Sequence, residues 1–272
     1  MSTVAMFSLK GSPGVTTLAC MLAASWPSPG IATVVEADPA GGDLAARFGL
    51  SAKQGWPSLS AATRRSDGIA AMAPHLQKLP GGVPVLVGAR GIDRRAADSQ
   101  EARILPVRHT TEGDRDVAIV DLGRFSAGDE LSGSWLRAAD HSVVVTGGEA
   151  SAALHLRQRA SELLDLCGGR LDLIVVGSGP YGCRAMSEFT GIEPLGDLPW
   201  DSAAAAVARG ASGSSRRLER SLLWIGACRL AATMAGRLDE AEAPGQEAPG
   251  QEAPGQKSLL AASDCTMTEV HR

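Results

Sequence analysis

Asparagine is absent from all 272 residues, and aromatic side chains make up only 4% of the chain. With so few rings, a core drawn from the 44% of hydrophobic residues has to be built mainly of Ala, Val, Leu and Ile. Cysteine is scarce too. The five are Cys20, Cys167, Cys183, Cys228 and Cys265, an odd number with no C-x-x-C pair. A chain this long needs no disulfide staples, so they read as free thiols of a reducing compartment. No uninterrupted apolar run is long enough to span a bilayer, and "TVAMFSL" is too short for a signal-peptide core. The expectation is a soluble, cytoplasmic protein. The balance of 26 basic and 30 acidic residues, net charge −4, argues against a dedicated nucleic-acid coat. The histidines are scattered and fit no metal-binding spacing, and no serine elbow G-x-S-x-G occurs between a strand and a helix.

Short apolar runs alternate with helical patterns over about the first 240 residues. "TVAMFS" (3–8), "ATVVEAD" (32–38), "VPVLVG" (83–88), "DVAIVD" (116–121), "HSVVVTG" (141–147) and "LDLIVVG" (171–177) read as strands. Helices are expected from Thr16 to Ser25, over 43–49 with Gly49 as a C-terminal stop, over 151–167 and over 216–236. In the third, Leu154, Leu163, Leu164 and Cys167 are expected to share the buried face; in the last, Leu218, Leu222 and Ile225. The alternation predicts an α/β fold, a mostly parallel twisted sheet with helices on both faces. The composition then breaks. "EAPGQ" is repeated three times over 242–256, with Pro and Gly in every unit. The division expected is a domain over 1–239 and a disordered tail over 240–272.

"SLKGSPGVTT" (8–17) lies between the first strand and the first helix. A loop that holds phosphate offers several backbone N–H groups to one anion, and the positive end of the following helix adds to them. Thr16 is placed to offer a hydroxyl to Mg²⁺. Glu36 and Asp38 end the second strand and Asp121 ends a later one, where the strand ends of a parallel sheet converge on a ligand crevice. Carboxylates there can hold Mg²⁺ or orient a water.

These segments together resemble the deviant Walker A ATPases of the ParA/MinD family, over roughly residues 3 to 236. "KGSPGVTT" resembles the family's K-G-G-x-G-K-[ST]-[ST]; "VVEADPAGGDLAARFGL" its switch I; "VAIVDLG" its Walker B strand. "AADHSVVVTGGEASAALHL" and "GIEPLGDLPWDSAAAAVARG" are similar to its later segments. The resemblance implies a P-loop NTPase of the SIMIBI type with ATP and Mg²⁺ as cofactors. Gly11, Ser12, Gly14, Val15, Thr16 and Thr17 would lie along the phosphates, and Pro199 and Asp201 near the base. Thr16, Asp121 and Glu36 would serve the metal. Asp38 would position the hydrolytic water. Lys10 would reach the nucleotide of the opposite subunit in an ATP-bound homodimer.

Three departures stand against the family pattern. Val15 replaces the lysine that touches the phosphates, and Pro13 removes one N–H from the loop. The asparagine that reads adenine is missing, and Gly177 stands at its place. The function implied is therefore a nucleotide-dependent dimeric switch in spatial positioning or partitioning, with an unidentified protein partner and weak or absent ATP hydrolysis. The alternative is a pseudo-ATPase scaffold that keeps the fold without nucleotide. A reductase similar to the nitrogenase iron protein is disfavoured, because no cysteine lies between Cys20 and Cys167. The arginine pairs Arg64–Arg65, Arg94–Arg95 and Arg216–Arg217 allow nonspecific DNA binding, but solvated helix faces are the favoured reading.

Overall fold

Strands rich in Val, Ile and Ala, apolar on both sides, can be buried only in the middle of a sheet covered on both faces. The computed structural model, which describes residues 1–10, 13–65, 71–88 and 116–242, shows that arrangement. Among the described residues one sheet has eight strands: β1 (Ser2–Ser8), β2 (Ala32–Glu36), β3 (Gln77–Lys78), β4 (Pro84–Leu86), β5 (Val117–Arg124), β6 (His141–Gly147), β7 (Leu171–Val176) and β8 (Glu193–Leu198). Their order is β3-β4-β2-β5-β1-β6-β7-β8. Only the edge pair β3–β4 is antiparallel.

The helices are α1 (Val15–Ala24), α2 (Leu44–Phe48), α3 (Trp56–Arg65), α4 (Glu130–Ala138), α5 (Ala150–Leu166), α6 (Cys183–Thr190), α7 (Ser202–Ala208), α8 (Ser215–Glu219) and α9 (Leu222–Glu242). The period-2 alternation of the strands sorts the core. Val4, Met6, Val34, Ile119 and Val143 pack under α1, α2, α7 and α9. Their sequence neighbours Ala5, Phe7, Val35, Val120 and Val144 pack under α3 to α6. Gly49 ends α2 in the left-handed conformation at φ 64°, as its position in the sequence predicts. Residues Met1–Glu242 form one compact unit. The EAPGQ repeats, Arg94–Arg95, Cys265 and loop residues Gly11 and Ser12 lie outside the described residues.

Two helix faces differ from expectation. On α5 the buried residues are Ala153, Leu156, Ala160 and Leu163, with Cys167 beyond, and Leu154 is 57% exposed. The buried residues recur at spacings of three and four, and Leu154, one residue after Ala153, falls outside that stripe. The stretch expected as one helix over 216–236 is two. Ser221 breaks it: its hydroxyl donates to the Leu218 carbonyl and accepts the Trp224 N–H. The interruption resets the helical frame. Leu223, Ala227, Leu230, Ala231 and Met234 face inward, while Leu222 and Ile225 point to solvent. Strand β8, "EPLGDL", carries Pro194 and Gly196, which a central strand would not tolerate; it forms because it is an edge strand.

Candidate functional site

Parallel strands all end at the same edge, so the sheet order β2-β5-β1 brings three chain segments together there. Glu36 and Asp121 are register partners across β2 and β5, and Met6 pairs with Asp121 across β1 and β5. The residues that leave this edge are those of the glycine loop, of the acidic segment after β2 and of the turn after Asp121.

Gly14 stands at the N-terminus of α1 with φ 93°, a left-handed conformation that side chains other than glycine's rarely adopt. Its carbonyl accepts the first helical hydrogen bond, from Leu18 N–H at 2.8 Å. No side chain caps α1, so its first-turn N–H groups have no side-chain acceptor at Gly14. An uncapped first turn preceded by glycine leaves backbone N–H groups that an anion can accept from. The Val15 side chain is turned away from it: it is 5% exposed and packs in the core around α1. Thr16 and Thr17 are half-buried.

Asp121 is fully buried, and burial pushes its carboxyl up to about 6. The Thr16 hydroxyl and the Gly123 N–H pull the other way, and Asp38 and Glu36 add repulsion. Gly123 N–H donates to Asp121 Oδ1 at 3.0 Å. Asp121 Oδ2 has no partner that meets hydrogen-bond geometry, in spite of the nearby Thr16 hydroxyl. A buried carboxylate oxygen without a donor, beside a hydroxyl, fits the water shell of a hard cation. Among the described residues no group of three or more His, Cys, Asp or Glu forms a ready metal cage. A metal here therefore needs ligands from elsewhere, such as phosphate oxygens and water.

Asp38 follows β2. Its Oδ1 accepts the Ala40 N–H at 2.7 Å, and its other carboxylate oxygen lies where a Cβ on Gly123 would stand. Gly123 has φ 57°, so glycine serves both the turn and the close approach. Glu36 is 2% exposed and acts differently from the metal group expected of it. Its Oε1 accepts the N–H groups of Asp43 and Leu44 at 2.6 and 2.8 Å, and its Oε2 accepts that of Gly88 at 2.7 Å. Both oxygens are engaged with backbone. Gly42 and Gly88 leave room for this carboxylate, since a Cβ at either would collide with it. The Glu36 carbonyl takes the Trp56 indole N–H at 2.9 Å. One acid thus ties the start of α2, the end of β4 and α3 to the loop that carries Asp38.

Pro199 and Asp201 lie beside the glycine loop. With Pro13, Gly14, Thr17 and Trp200 they line a cavity of ≈ 90 Å³ over α1. The Asp201 carboxylate caps α7, accepting the Ala204 N–H at 2.9 Å. Lys10 is exposed at the end of β1, on the side of Thr146 and His155. Cys20, on α1 below the acids, is held inert: burial, then Asp121 and Glu36, push its thiol up to about 12. The clearance glycines 42, 88 and 123 were beyond reach of the motif reading.

No family model matches the chain, and no curated protein matches it. Solved structures do. A ParA family ATPase from Chlorobium tepidum TLS superposes with TM-score 0.66 at 19% identity, covering 85% of this chain and 98% of that one. The septum site-determining protein MinD complexed with Mg-ADP from Pyrococcus horikoshii OT3 gives TM-score 0.68 at 15% identity, with 89% and 99% covered. The Cyanothece McdA(D38A)–ATP complex gives 0.62 at 16%, with 88% and 96% covered. The sheet order, the glycine loop entering α1 and the acids at one sheet edge agree with these likenesses: the chain has a ParA/MinD-like P-loop ATPase fold.

Proposed function

We propose that this chain is a ParA/MinD-like switch that binds ATP-Mg²⁺, dimerises on binding and positions a cargo or machinery through a protein partner. The observation that carries the reading is the uncapped Gly14–α1 turn beside Asp121, whose buried Oδ2 lacks a donor. In this reading the first-turn N–H groups and Thr17 hold phosphate oxygens, and the Thr16 hydroxyl and Asp121 hold Mg²⁺ and its waters. The metal supplies charge neutralisation on the phosphates. Asp38 is held against Gly123 and orients the attacking water, while Glu36 keeps the Asp38 loop in place. Pro199 and Asp201 border the base, and Lys10, exposed at the edge, is left to meet a second subunit. Placement of a cargo in cells is the role of the switch; nonspecific DNA binding is allowed by the arginine pairs but is not the favoured reading.

Val15 limits the chemistry. One charge-assisted hydrogen bond contributes about 1.5–3 kcal/mol, so its loss weakens binding roughly tenfold to a hundredfold. Cations on the transferring phosphoryl group contribute on the order of 10³ to 10⁵ in rate, so hydrolysis suffers more than binding. Calorimetry with ATP-Mg²⁺ and sizing in its presence test the reading. Binding with a shift to dimer supports it; neither at millimolar nucleotide sinks it. The burial of Val15 in the core favours a second reading, a scaffold that needs no nucleotide. In that case Thr16→Ala and Asp38→Ala leave cellular function intact.

A further inference from the structure

The glycine loop faces its anion without a side-chain cation of its own. Val15 is packed into the core, and Lys10 lies on the far side, by Thr146 and His155. The acids crowd the other side, since Asp38 and Glu36 both repel the charge on Asp121. The cleft over α1 does contain one cation. Arg209 ends α7 and lines the same cavity as Pro13, Gly14 and Thr17. Its backbone N–H is bonded to the Ala205 and Ala206 carbonyls, which fixes where the side chain starts. Its guanidinium makes no ion pair or side-chain hydrogen bond among the described residues. Arg47, Arg159, Arg184 and Arg237, by contrast, are paired with Asp43, Glu162, Glu188 and Asp172. Asp201, whose Oδ1 accepts the Ala204 N–H at the other end of α7, makes no ion pair with Arg209 among the described residues. Between the two walls stands Trp200, 66% exposed, which gives the cleft one flat apolar surface. A flat ring joined to anionic groups matches that lining.

We propose that Arg209 supplies, from across the cleft, the positive charge that the loop lacks at position 15. The phosphates of a nucleotide are then gripped between the N-terminus of α1 and an arginine of the same subunit. Guanidinium suits the task, since its planar fork can donate two parallel hydrogen bonds to phosphate oxygens. The proposal rests on the nucleotide-binding reading above.

Calorimetry with ATP-Mg²⁺ on the wild type, Arg209→Ala and Arg209→Gln tests it. Glutamine keeps much of the length and removes the charge. Both variants are expected to bind roughly 10- to 100-fold more weakly. Their melting temperatures without ligand should match the wild type, because Arg209 is exposed and has no side-chain partner among the described residues. If the wild type binds and either variant binds as tightly, Arg209 is not the missing cation and the nucleotide reading stands. If the wild type fails to bind at millimolar ATP-Mg²⁺, both fall.

Discussion

Asp121→Asn separates what the site costs the fold from what it does for a ligand. Asp121 is fully exposed to the low dielectric of the core, and its carboxyl is raised from 3.8 to about 6, by burial first of all. With a raised folded pKa, the native state keeps a proton that the unfolded chain has already lost. Between about pH 4 and pH 6 the native state binds more protons, so stability falls as pH rises through that window. Above about pH 6 the penalty is complete. A shift of roughly two units at 1.36 kcal/mol each amounts to about 3 kcal/mol. Asparagine has nearly the same shape and keeps an oxygen for the Gly123 N–H. In metal-free buffer the variant should therefore be more stable than the wild type by up to about 3 kcal/mol near pH 8, with the gap closing toward pH 4. Urea unfolding at several pH values reads this directly. A variant less stable than the wild type at pH 8, or a gap that does not change with pH, would refute the reasoning. The same variant should lose Mg²⁺-dependent nucleotide binding, so stability and function move in opposite directions.

Glu36→Ala strips the acceptor from three backbone N–H groups, those of Asp43, Leu44 and Gly88, and should cost about 3–5 kcal/mol in urea unfolding. Hydrogen exchange at those three amides should speed up together, and unchanged exchange would show that the carboxylate is not the tie. Gly123→Ala places a Cβ against the Asp38 carboxylate in a left-handed turn, so a loss of about 1–2 kcal/mol is expected. A variant as stable as the wild type would mean that Asp38 does not rest there. Val15→Lys puts an ammonium where a buried methyl pair packs, so its melting temperature without ligand should fall; ATP-Mg²⁺ should raise it by more than it raises the wild type's.

The strands most readable in the sequence were those with unbroken Val, Ile and Leu runs, because burial on both faces leaves no other composition possible. Strand β8 escaped notice because Pro194 and Gly196 are tolerated only at an edge, and edge position is a property of the finished sheet. Helix faces are less legible than strands, because apolar residues lie on more than one side of the helix. Ala153, Leu156, Ala160 and Leu163 form the buried stripe of α5 and Leu154 lies outside it, because the helical phase is set by the whole stripe and not by the most hydrophobic residues alone. The acids of the site were legible, because Glu36, Asp38 and Asp121 sit at strand ends. What each carboxylate touches was not, since it depends on glycines 42, 88 and 123, which come from three separate segments. Arg209 is further still from the loop in sequence, and only the packing of α7 beside α1 brings it to the cleft.

The charge balance of the site leads to a last expectation. Three carboxylates gather at the sheet edge, and Asp38 and Glu36 oppose ionisation of Asp121. The loop adds no side-chain cation, because position 15 is a buried valine. Among the described residues, this field is opposed by the partial positive charge at the α1 N-terminus, about half an elementary charge, and by one arginine across the cleft. A nucleotide triphosphate brings several negative charges of its own. A loop lysine would offset part of that repulsion; here the divalent ion has to offset what the α1 N-terminus and Arg209 do not. Nucleotide binding should therefore depend on Mg²⁺ more steeply than one lost contact suggests. Chelating the metal should weaken ATP binding by more than about a hundredfold, whereas restoring Lys at position 15 should reduce that dependence. Calorimetry with ATP in EDTA against ATP-Mg²⁺ measures both. Binding in EDTA within tenfold of that with Mg²⁺ would mean that the acids are neutralised by a group other than the metal.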